Sequence, residues 1–304
     1  MLISIIIPAR NEEMNIVRCM KSIHANTFSS KEYEVIVVDN GSTDRTADLA
    51  KSCGGIVYRR PGVTVSALRN YGAKKSRGKV LAFLDADCTV ERDWLESASR
   101  YFQREDVACF GSPPYIPANP TWVQQTWLLV RNPEEKLRET DWLESMNLFV
   151  RKDAFEQVGG FDETLTTCED VDISYRLSAQ GKIISDPDIK AIHHGEARTI
   201  REFFRKELWR GKSNYRGALR HGFRFKEVPS LVLPFYFGIF VLLIFILLVI
   251  RAETTWLYAM IILWQTPLMI SAGLKIRHNS GMRQYPHLLL LYNVYYLARF
   301  CAIF

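Results

Sequence analysis

Two aspartates, Asp85 and Asp87, stand with one alanine between them directly after the apolar residues 81–84. Such a run is typical of a buried strand, and ligands of α/β proteins gather where parallel strands end. Two carboxylates at that position can share a divalent cation such as Mg²⁺ or Mn²⁺, which keeps sites free for substrate phosphates. Aspartate is also a common turn residue, so the pair alone leaves a metal site and a plain turn open.

A second apolar run, residues 35–38, ends in a similar way at Asp39, which is followed by Gly41 and Ser42. A glycine suits a tight turn and a serine suits the start of a helix, so both residues have a structural interpretation as well. Farther along the chain, His193 follows a short predicted strand. A histidine there can contact a metal or a diphosphate, although a buried, hydrogen-bonded histidine is the more common arrangement.

No glycine-rich phosphate loop accompanies these residues. No G-x-G-x-x-G motif follows the first apolar run, and the P-loop-like residues 211–213 lack the earlier glycine, because Lys206 stands there. Kinase-like and dinucleotide-binding functions therefore lack their motif. A bound diphosphate would have to be neutralised by metal and basic residues, which adds weight to Asp85 and Asp87.

The elements that would position these side chains alternate between apolar runs and helical patterns. This alternation predicts an α/β fold with a mostly parallel sheet and helices on its faces, an architecture typical of nucleotide binding. The predicted strands are residues 4–7, 35–38, 56–58 and 79–84, and the predicted helices follow caps at Asn11 and Ser42 and cover about 63–75.

The composition is globular with two long apolar exceptions. The chain has 304 residues, 48% of them hydrophobic, and its six cysteines form no C-x-x-C pair, which argues against disordered, zinc-ribbon and disulfide-scaffold classes. Residues 231–250 and 254–274 are uncharged and long enough to cross a membrane, since twenty helical residues span roughly 30 Å. Residues 287–304 are shorter and carry Arg299, so a span and an interfacial helix both stay open.

Positive charge is concentrated just before these runs. Residues 196–227 hold ten Lys or Arg against four acids, an excess equal to the whole net charge of +6. The positive-inside rule predicts a cytoplasmic location for this segment and for the domain before it, which has no secretory signal. Four cations spaced by four could face anionic headgroups or simply water: Lys212, Arg216, Arg220 and Arg224. Charge beside the spans, and not across a soluble face, argues against nucleic-acid binding.

Five motifs in a fixed order make the sequence resemble the family 2 glycosyltransferases with the GT-A fold. The motifs lie in residues 6–13, 37–44, 69–72, 84–87 and 145–172, and the resemblance covers roughly residues 2–195. It implies a Rossmann-like GT-A domain in the cytoplasm, followed here by C-terminal transmembrane helices. It also implies transfer of a hexosyl or N-acetylhexosaminyl group from a nucleotide-sugar donor, assisted by Mg or Mn.

The resemblance also implies roles for particular residues. Asp170 matches the acid of the family's Glu-Asp pair, the general base, which implies inversion at the sugar carbon, and Glu169 is its partner. Both acids also precede an amphipathic pattern, where the dipole of a helix favours them without any catalysis. The implied donor-binding residues are Pro8, Ala9, Arg10, Glu12, Asp39, Gly41, Ser42, Arg69, Asn70, Asp85, Ala86 and Asp87, and the candidate metal ligands are Asp87, Asp85 and His193.

One departure from the family pattern concerns processivity. Processive members carry Q-x-x-R-W after the base, whereas residues 207–210 have the Trp and Arg in reversed order, so we expect transfer of a single sugar. Tethering to a membrane favours a lipid-linked, polyprenyl-phosphate or membrane-proximal acceptor, as in the biosynthesis of an envelope polysaccharide or a glycolipid. We expect a multi-pass membrane protein, in the inner membrane if the source is bacterial.

The predicted organisation has four parts. Residues 1–112 form the donor-binding half of the GT-A domain, residues 113–198 the acceptor-binding and catalytic half, residues 199–229 a basic amphipathic connector, and residues 230–304 a membrane region with two or three helices. Two other functions stay open: a catalytically silent, nucleotide-binding membrane scaffold and a sugar nucleotidyltransferase. The latter requires a glycine-rich N-terminal loop, which residues 8–11 do not provide.

Overall fold

The computed structural model describes residues 2–131, 136–212, 228–277 and 282–304. The chain divides into two compact units. Unit 1 comprises Met1–Pro117 and Glu134–Gly195, and unit 2 comprises Ala118–Pro133 and Glu196–Phe304.

Unit 1 is a sheet with helices on its faces. Its strands are β1 (Ile3–Ala9), β2 (Tyr33–Asp39), β3 (Ile56–Arg59), β4 (Val80–Leu84), β5 (Cys88–Val90), β6 (Val107–Gly111), β7 (Arg138–Glu139), β8 (Asn147–Arg151), β9 (Lys182–Ser185) and β10 (Ala191–His193). Its helices are α1 (Ile16–His24), α2 (Thr46–Ser52), α3 (Val65–Lys75), α4 (Trp94–Ser99), α6 (Lys152–Gln157) and α7 (Glu169–Leu177). The main sheet has the order β3-β2-β1-β4-β8-β6-β9-β7, and β5 pairs with β10 in a separate ladder.

The first four strands form the parallel half that the sequence predicts. Strand β1 pairs in parallel with β2 and β4, and β2 pairs in parallel with β3. Every residue of β1 and β2 is buried, as expected for a parallel sheet that is covered on both faces. The other half is mixed, because β8 lies antiparallel between β4 and β6. The sheet is therefore mostly parallel with an antiparallel insertion.

Both predicted helix caps are wrong. Helix α1 begins at Ile16 and α2 at Thr46, four or five residues after the residues expected to cap them. The reason is that the predicted caps join two loops instead: the Asn11 N–H donates to Ser42 Oγ at 2.9 Å, and the Thr43 N–H donates to Asn11 Oδ1 at 2.9 Å. Asn11 also has a left-handed backbone with a φ of 54°.

The regular elements that the structure describes in unit 2 are helical. They are α5 (Trp122–Arg131), α8 (Ile200–Gly211), α9 (Val228–Val249), α10 (Thr254–Arg277) and α11 (Tyr285–Cys301). Helix α8 begins with a Thr199 cap, since Thr199 Oγ1 accepts the Glu202 N–H, and Glu202 Oε2 in turn accepts the N–H of Arg198, the residue before the cap.

Two segments of unit 2 are long and apolar enough to cross a membrane, Ser230–Val249 in α9 and Thr254–Ile276 in α10. In the most apolar 18-residue stretch of each helix, only 17% and 11% of the residues are buried. The two helices therefore differ from the core helices of a water-soluble domain, which are mostly buried. Helix α11 packs against both, through Tyr296 against Phe237 and Leu268 and through Leu288 against Ala272 and Ile276. The predicted cations Arg216, Arg220 and Arg224 lie outside the described residues.

Candidate active site

The ends of three parallel strands bring the first group of predicted residues to one edge of the sheet. Ala9, at the end of β1, pairs with Asp39 at the end of β2, and Asp85 follows β4 on the other side of β1. Pro8 is buried in β1, whereas Arg10, just beyond the strand, is exposed. Topology therefore places these residues together, as the sequence predicts.

Asp39 organises the turn after β2. Its side chain is 1% exposed and accepts the backbone N–H groups of Gly41 at 3.1 Å and Ser42 at 3.1–3.2 Å. Gly41 has a φ of +73°, and a Cβ there would lie 2.8 Å from Pro61 Cβ, so the turn requires glycine. The Arg59 guanidinium lies 3.8 Å from the Asp39 carboxylate. These contacts fix the turn, and nucleoside binding by its residues stays a prediction.

Glu12 is held beside the aspartates by the loop contacts after β1. Its backbone N–H donates to Thr46 Oγ1 at 2.7 Å. Burial raises the pKa of the Glu12 carboxyl, and the nearby negative charges of Asp87 and Asp85 raise it further. The site therefore concentrates negative charge even before Asp170 is considered, and a cation would relieve it.

Arg69 connects the two acidic motifs. Its side chain is 3% exposed, with Nη2 donating to Asp85 Oδ1 and Nη1 donating to Glu169 Oε1, both at 2.8 Å. Helix α3 presents this arginine to the sheet edge after starting at a Thr64 cap. One buried guanidinium thus holds Asp85, which follows β4, close to Glu169 of α7, although the two acids are far apart in the sequence.

Asp87 belongs to a different cluster from Asp85. His193 Nε2 lies 3.1 Å from Asp87 Oδ2, and the ladder between β5 and β10 pairs His193 directly with Cys88. Ligand atoms of Asp87, Cys88 and His193 all lie within 4.8 Å of one another. Carboxylate, imidazole and thiol are all ligands of divalent metals, so the donor set fits a metal. Cys88 is the member that the sequence did not suggest, although it adjoins Asp87.

The thiol is the weakest of the three candidate ligands. Burial, with the charges of Asp87 and Asp85, raises the pKa of Cys88 well above its usual value, so the group is a neutral thiol without a cation. Asp87 and His193 are therefore the ready ligands. The Asp85 carboxylate lies on Arg69.

Gly195 is a second residue that the sequence did not indicate. A Cβ there would lie 1.8 Å from Asp87 Oδ2 and 2.9 Å from His193 Nε2. Only glycine therefore leaves room for both side chains in their present positions. No motif signals this, because the approach depends on how the β5–β10 ladder aligns distant parts of the chain. His194, by contrast, bonds Thr89 at 2.9 Å through its ring.

Glu169 and Asp170 open α7 after an unusual backbone turn. Cys168 has a φ of 64°, in the left-handed region that a cysteine rarely adopts, and the helix begins at the next residue. Burial raises the pKa of the half-buried Asp170 carboxyl to about 7, with contributions from the negative charges of Glu169 and Glu144. The dipole of a helix alone would lower the pKa of a first-turn acid. Asp170 can therefore exchange a proton near neutral pH.

Asn70 and Ala86 serve packing and turn geometry in the structure. The Asn70 amide donates to the Phe161 carbonyl at 2.8 Å and to Glu163 Oε1 at 2.9 Å, and accepts the Phe161 N–H at 2.8 Å. It thereby ties α3 to the turn at Gly159 and Gly160, whose φ angles are 78° and 71°. Ala86 is buried in the core beneath the site. Donor contacts by these two residues stay predictions.

A comparison with protein-family models assigns the chain to a family. The model described as "Glycosyl transferase family 2" matches residues 4–158. The protein is a family 2 glycosyltransferase. Glycosyltransferase AglE of Haloferax volcanii is 30% identical over 221 residues, which cover 69% of this chain and 72% of that protein. The family resemblance inferred from the five motifs is therefore confirmed.

Other relatives of this family 2 glycosyltransferase are similar over smaller parts. A beta-monoglucosyldiacylglycerol synthase of Nostoc sp. is 29% identical over 196 residues, 58% of this chain and 41% of that enzyme. The chain spans about half the length of several further curated relatives.

A solved structure confirms the GT-A fold. The mannosyltransferase PcManGT of Pyrobaculum calidifontis, in complex with GDP-Man and Mn²⁺, superposes with a TM-score of 0.65. The match covers 96% of this chain and 87% of that chain at 16% sequence identity. At this identity the likeness concerns the fold alone, and the family 2 glycosyltransferase described here shares that fold.

Proposed function

We propose that this family 2 glycosyltransferase moves a single sugar, with inversion, from a nucleotide-sugar donor to a lipid-linked or membrane-proximal acceptor. The observation that carries the proposal is the buried Arg69, which holds Asp85 and Glu169 at 2.8 Å each. It joins the strand-end acids to the α7 acids, so donor and base would meet within one site.

Donor binding would use the sheet edge. In this proposal Asp39 bonds the base, and the loop residues Pro8 to Glu12 surround the nucleoside, together with the turn that Asp39 organises. Residues 1–112 would thus form the donor half, and residues 113–198 the acceptor half. The structure of PcManGT with GDP-Man supports a nucleotide-sugar donor for this fold.

Asp87 and His193 would hold the metal, with Cys88 beneath them. A divalent ion bound there would offset the negative charge of the donor's diphosphate, as a Lewis acid does for a leaving group. The fit of the donor set and the space left by Gly195 support this assignment. Asp85, bonded to Arg69, would contact the ribose.

Asp170 would act as the general base. The acceptor hydroxyl gives its proton to the Asp170 carboxylate while its oxygen forms a bond to the anomeric carbon of the sugar. The bond from that carbon to the diphosphate oxygen breaks on the opposite face, and its electron pair leaves with the nucleoside diphosphate. A pKa raised to about 7 leaves a useful fraction of Asp170 ionised at neutral pH and still basic enough to accept a proton.

Unit 2 supports the proposed acceptor and location. Its two apolar helices would tether the enzyme to a membrane, with the catalytic unit on the cytoplasmic side where the preceding cations favour it. Tethering raises the effective concentration of an acceptor in the same membrane. The name of the Nostoc relative, a glucosyldiacylglycerol synthase, supports a lipid as acceptor.

A thermal-shift screen of the detergent-solubilised full chain tests the donor site. We would compare UDP, GDP, CMP and dTDP with and without Mn²⁺. At a ligand concentration of about 100 times its dissociation constant, binding adds roughly 2.7 kcal/mol of stability. A Mn²⁺-dependent shift with one nucleotide supports the donor site and names the donor class, whereas no shift with any nucleotide contradicts the proposal.

Two variants make the screen specific. Asp87→Ala should lose the Mn²⁺ dependence of the shift, because it removes a carboxylate of the metal cluster. Asp93→Ala is the matched control, since Asp93 is exposed and makes no capping hydrogen bond at the start of α4. An Asp87→Ala protein with an unchanged Mn²⁺-dependent shift would show that the metal binds elsewhere.

A further inference from the structure

Helix α8 carries a cationic stripe along its exposed side. Arg201, Arg205, Trp209 and Lys212 are all exposed and are spaced by four, four and three residues, which places them on one face of the helix. We call these four residues the α8 face. Trp209 is 51% exposed, an unusual position for the largest apolar side chain.

The opposite side of α8 is built into unit 2. Phe203, Glu207 and Gly211 are buried, again at spacings of four. Gly211 makes the closest approach: a Cβ there would lie 2.5 Å from Ala302 Cβ, just after α11. The helix is therefore held firmly, and its orientation determines that the α8 face points outward.

A second close contact relates α8 to the apolar helices. Gly238 of α9 faces the ring of Phe300, where a Cβ would lie 2.2 Å from Cε2. Gly238 stands about 12 Å along the helix from Ser230, the first residue of the apolar span, at 1.5 Å per residue. Gly238 lies about 17 Å from Val249 by the same rise, so Ala302 and Phe300 connect α8 to the half of the span that begins at Ser230.

The cations of the α8 face stand apart from the acids of the described residues. Among the described residues no ion pair joins Arg201, Arg205 or Lys212 to a carboxylate, whereas Arg210, on the inner side of the same helix, pairs with Glu207 at 2.7 Å. The neighbouring exposed acid, Glu202, has a carboxylate oxygen engaged in the helix cap.

We propose that the α8 face binds the headgroups of anionic phospholipids, with α8 lying in the plane of the membrane surface. This inference rests on the membrane association proposed above. Charge complementarity and continuity with the apolar helices carry it, because three cations that have no acidic partner among the described residues line the exposed face of a helix that α11 joins to α9. Lys, Arg and an exposed Trp are the residues that such interfacial helices use, with Trp at the level of the headgroups.

The test uses the full chain reconstituted in phosphatidylcholine bilayers at low salt. Spin-labelled phosphatidylglycerol and spin-labelled phosphatidylcholine, added in trace amounts, report which lipid the protein retains at its surface. We expect the wild-type protein to retain phosphatidylglycerol preferentially. The variant Arg201→Gln/Arg205→Gln/Lys212→Gln should lose most of that preference, and high salt should reduce it in the wild type by screening.

A matched variant controls for net charge. Arg45→Gln/Lys51→Gln/Lys74→Gln removes three exposed cations from unit 1 and should keep the lipid preference of the wild type. An equal preference in the α8 variant and in this control overturns the inference while leaving the proposed membrane association intact. A wild-type protein that stays in solution after detergent removal contradicts the membrane association itself. A preference lost in the α8 variant alone supports the inference.

Discussion

Both units bury carboxylates, but they balance them in opposite ways. In unit 1, Arg69 serves Asp85 and Glu169 together, and Asp87 has the imidazole of His193 beside it. In unit 2, two buried acids are surrounded by three arginines: Glu207 pairs with Arg210 at 2.7 Å and with Arg299 at 2.8 Å, while Glu196 pairs with Arg131 and lies 3.9 Å from Arg210. Acids are in excess in the first group and cations in the second.

The difference separates a site that is built for ligands from one that is built for packing. A buried acid with a guanidinium of its own is held in place, as Glu207 is at 1% exposure. Acids that outnumber their cations repel one another, and this repulsion contributes to the raised pKa values of Glu12 and Asp170. Such groups are ready to take a metal ion or a proton, which is why we place the chemistry in unit 1.

The largest effect is expected at Asp170, one of the unit 1 acids that outnumber their cations. Asp170→Asn keeps the size of the side chain but cannot accept a proton from the acceptor. We expect transfer to fall by roughly 10² to 10⁴, the usual contribution of a general base, while the nucleotide-induced thermal shift stays at the wild-type level. Glu105→Gln, an exposed acid of the same unit, is the control. Full transfer by Asp170→Asn would contradict the assignment of Asp170 as the base. The excess of acids in unit 1 would then have no proposed role in catalysis.

The second effect concerns the paired acid of unit 2. Glu207→Gln leaves Arg210 and Arg299 without their carboxylate, and removing one partner of a buried ion pair costs about 3–5 kcal/mol. We expect a lower melting temperature with an unchanged nucleotide-induced shift. Glu202→Gln on the exposed side of α8 should melt like the wild type, since glutamine can keep the capping hydrogen bond. Equal melting of both variants would show that the unit 2 network is not structural.

A third variant tests the proposed metal cluster of unit 1 without changing any of its candidate ligands. Gly195→Ala should push the Asp87 carboxylate and the His193 ring apart, because its Cβ would occupy their space. We expect Mn²⁺ affinity, measured by electron paramagnetic resonance of free Mn²⁺, to fall by about tenfold or more, as for losses of supporting residues around metals. The melting temperature without metal should change little. Gly273→Ala is the control, since its Cβ would meet nothing closer than 4.0 Å. Unchanged affinity would mean that the metal does not use this cluster.

The sequence predicts the parallel half of the fold well because each of its strands is a short, continuous apolar run. Strands β1, β2, β3 and β4 lie where the pattern predicts them, and so does helix α3. The helix caps were mispredicted because Asn11 and Ser42 find partners in each other's loops, across 31 residues of chain. The insertion of β8 between β4 and β6 also has no local signal, since pairing order depends on the whole sheet.

Within the site, short motifs predict residues that stand at strand ends, and they miss residues that reach the site from elsewhere. Asp85 and Asp87 follow an apolar run and are visible in the sequence. Cys88 and Gly195 become relevant only through the β5–β10 ladder, and a lone cysteine or glycine carries no pattern. The role of Arg69 as a bridge is equally a property of tertiary structure, although its motif predicts that it lies near the donor.

The smallest effect tests the repulsion that defines the unit 1 site. Since a general base must be ionised to act, the proposed role of Asp170 predicts a rate of transfer that rises about tenfold per pH unit up to about 7 and levels off above it. Glu144→Gln removes one of the negative charges that raise this pKa, so the inflection should move to lower pH by less than one unit, with the plateau rate retained.

The raised pKa of Asp170 also predicts how the stability of the fold depends on pH. The folded chain holds the Asp170 proton more tightly than the unfolded chain, in which the pKa has its usual value of 3.8. The free energy of unfolding therefore decreases as the pH rises from 3.8 to about 7. Glu144→Gln should weaken that decline, which a melting series across this pH range can measure. A pH profile and a melting series that both match the wild type would mean that Asp170 is insensitive to its acidic neighbour, and the excess of acids in unit 1 would then have no bearing on the proton it accepts.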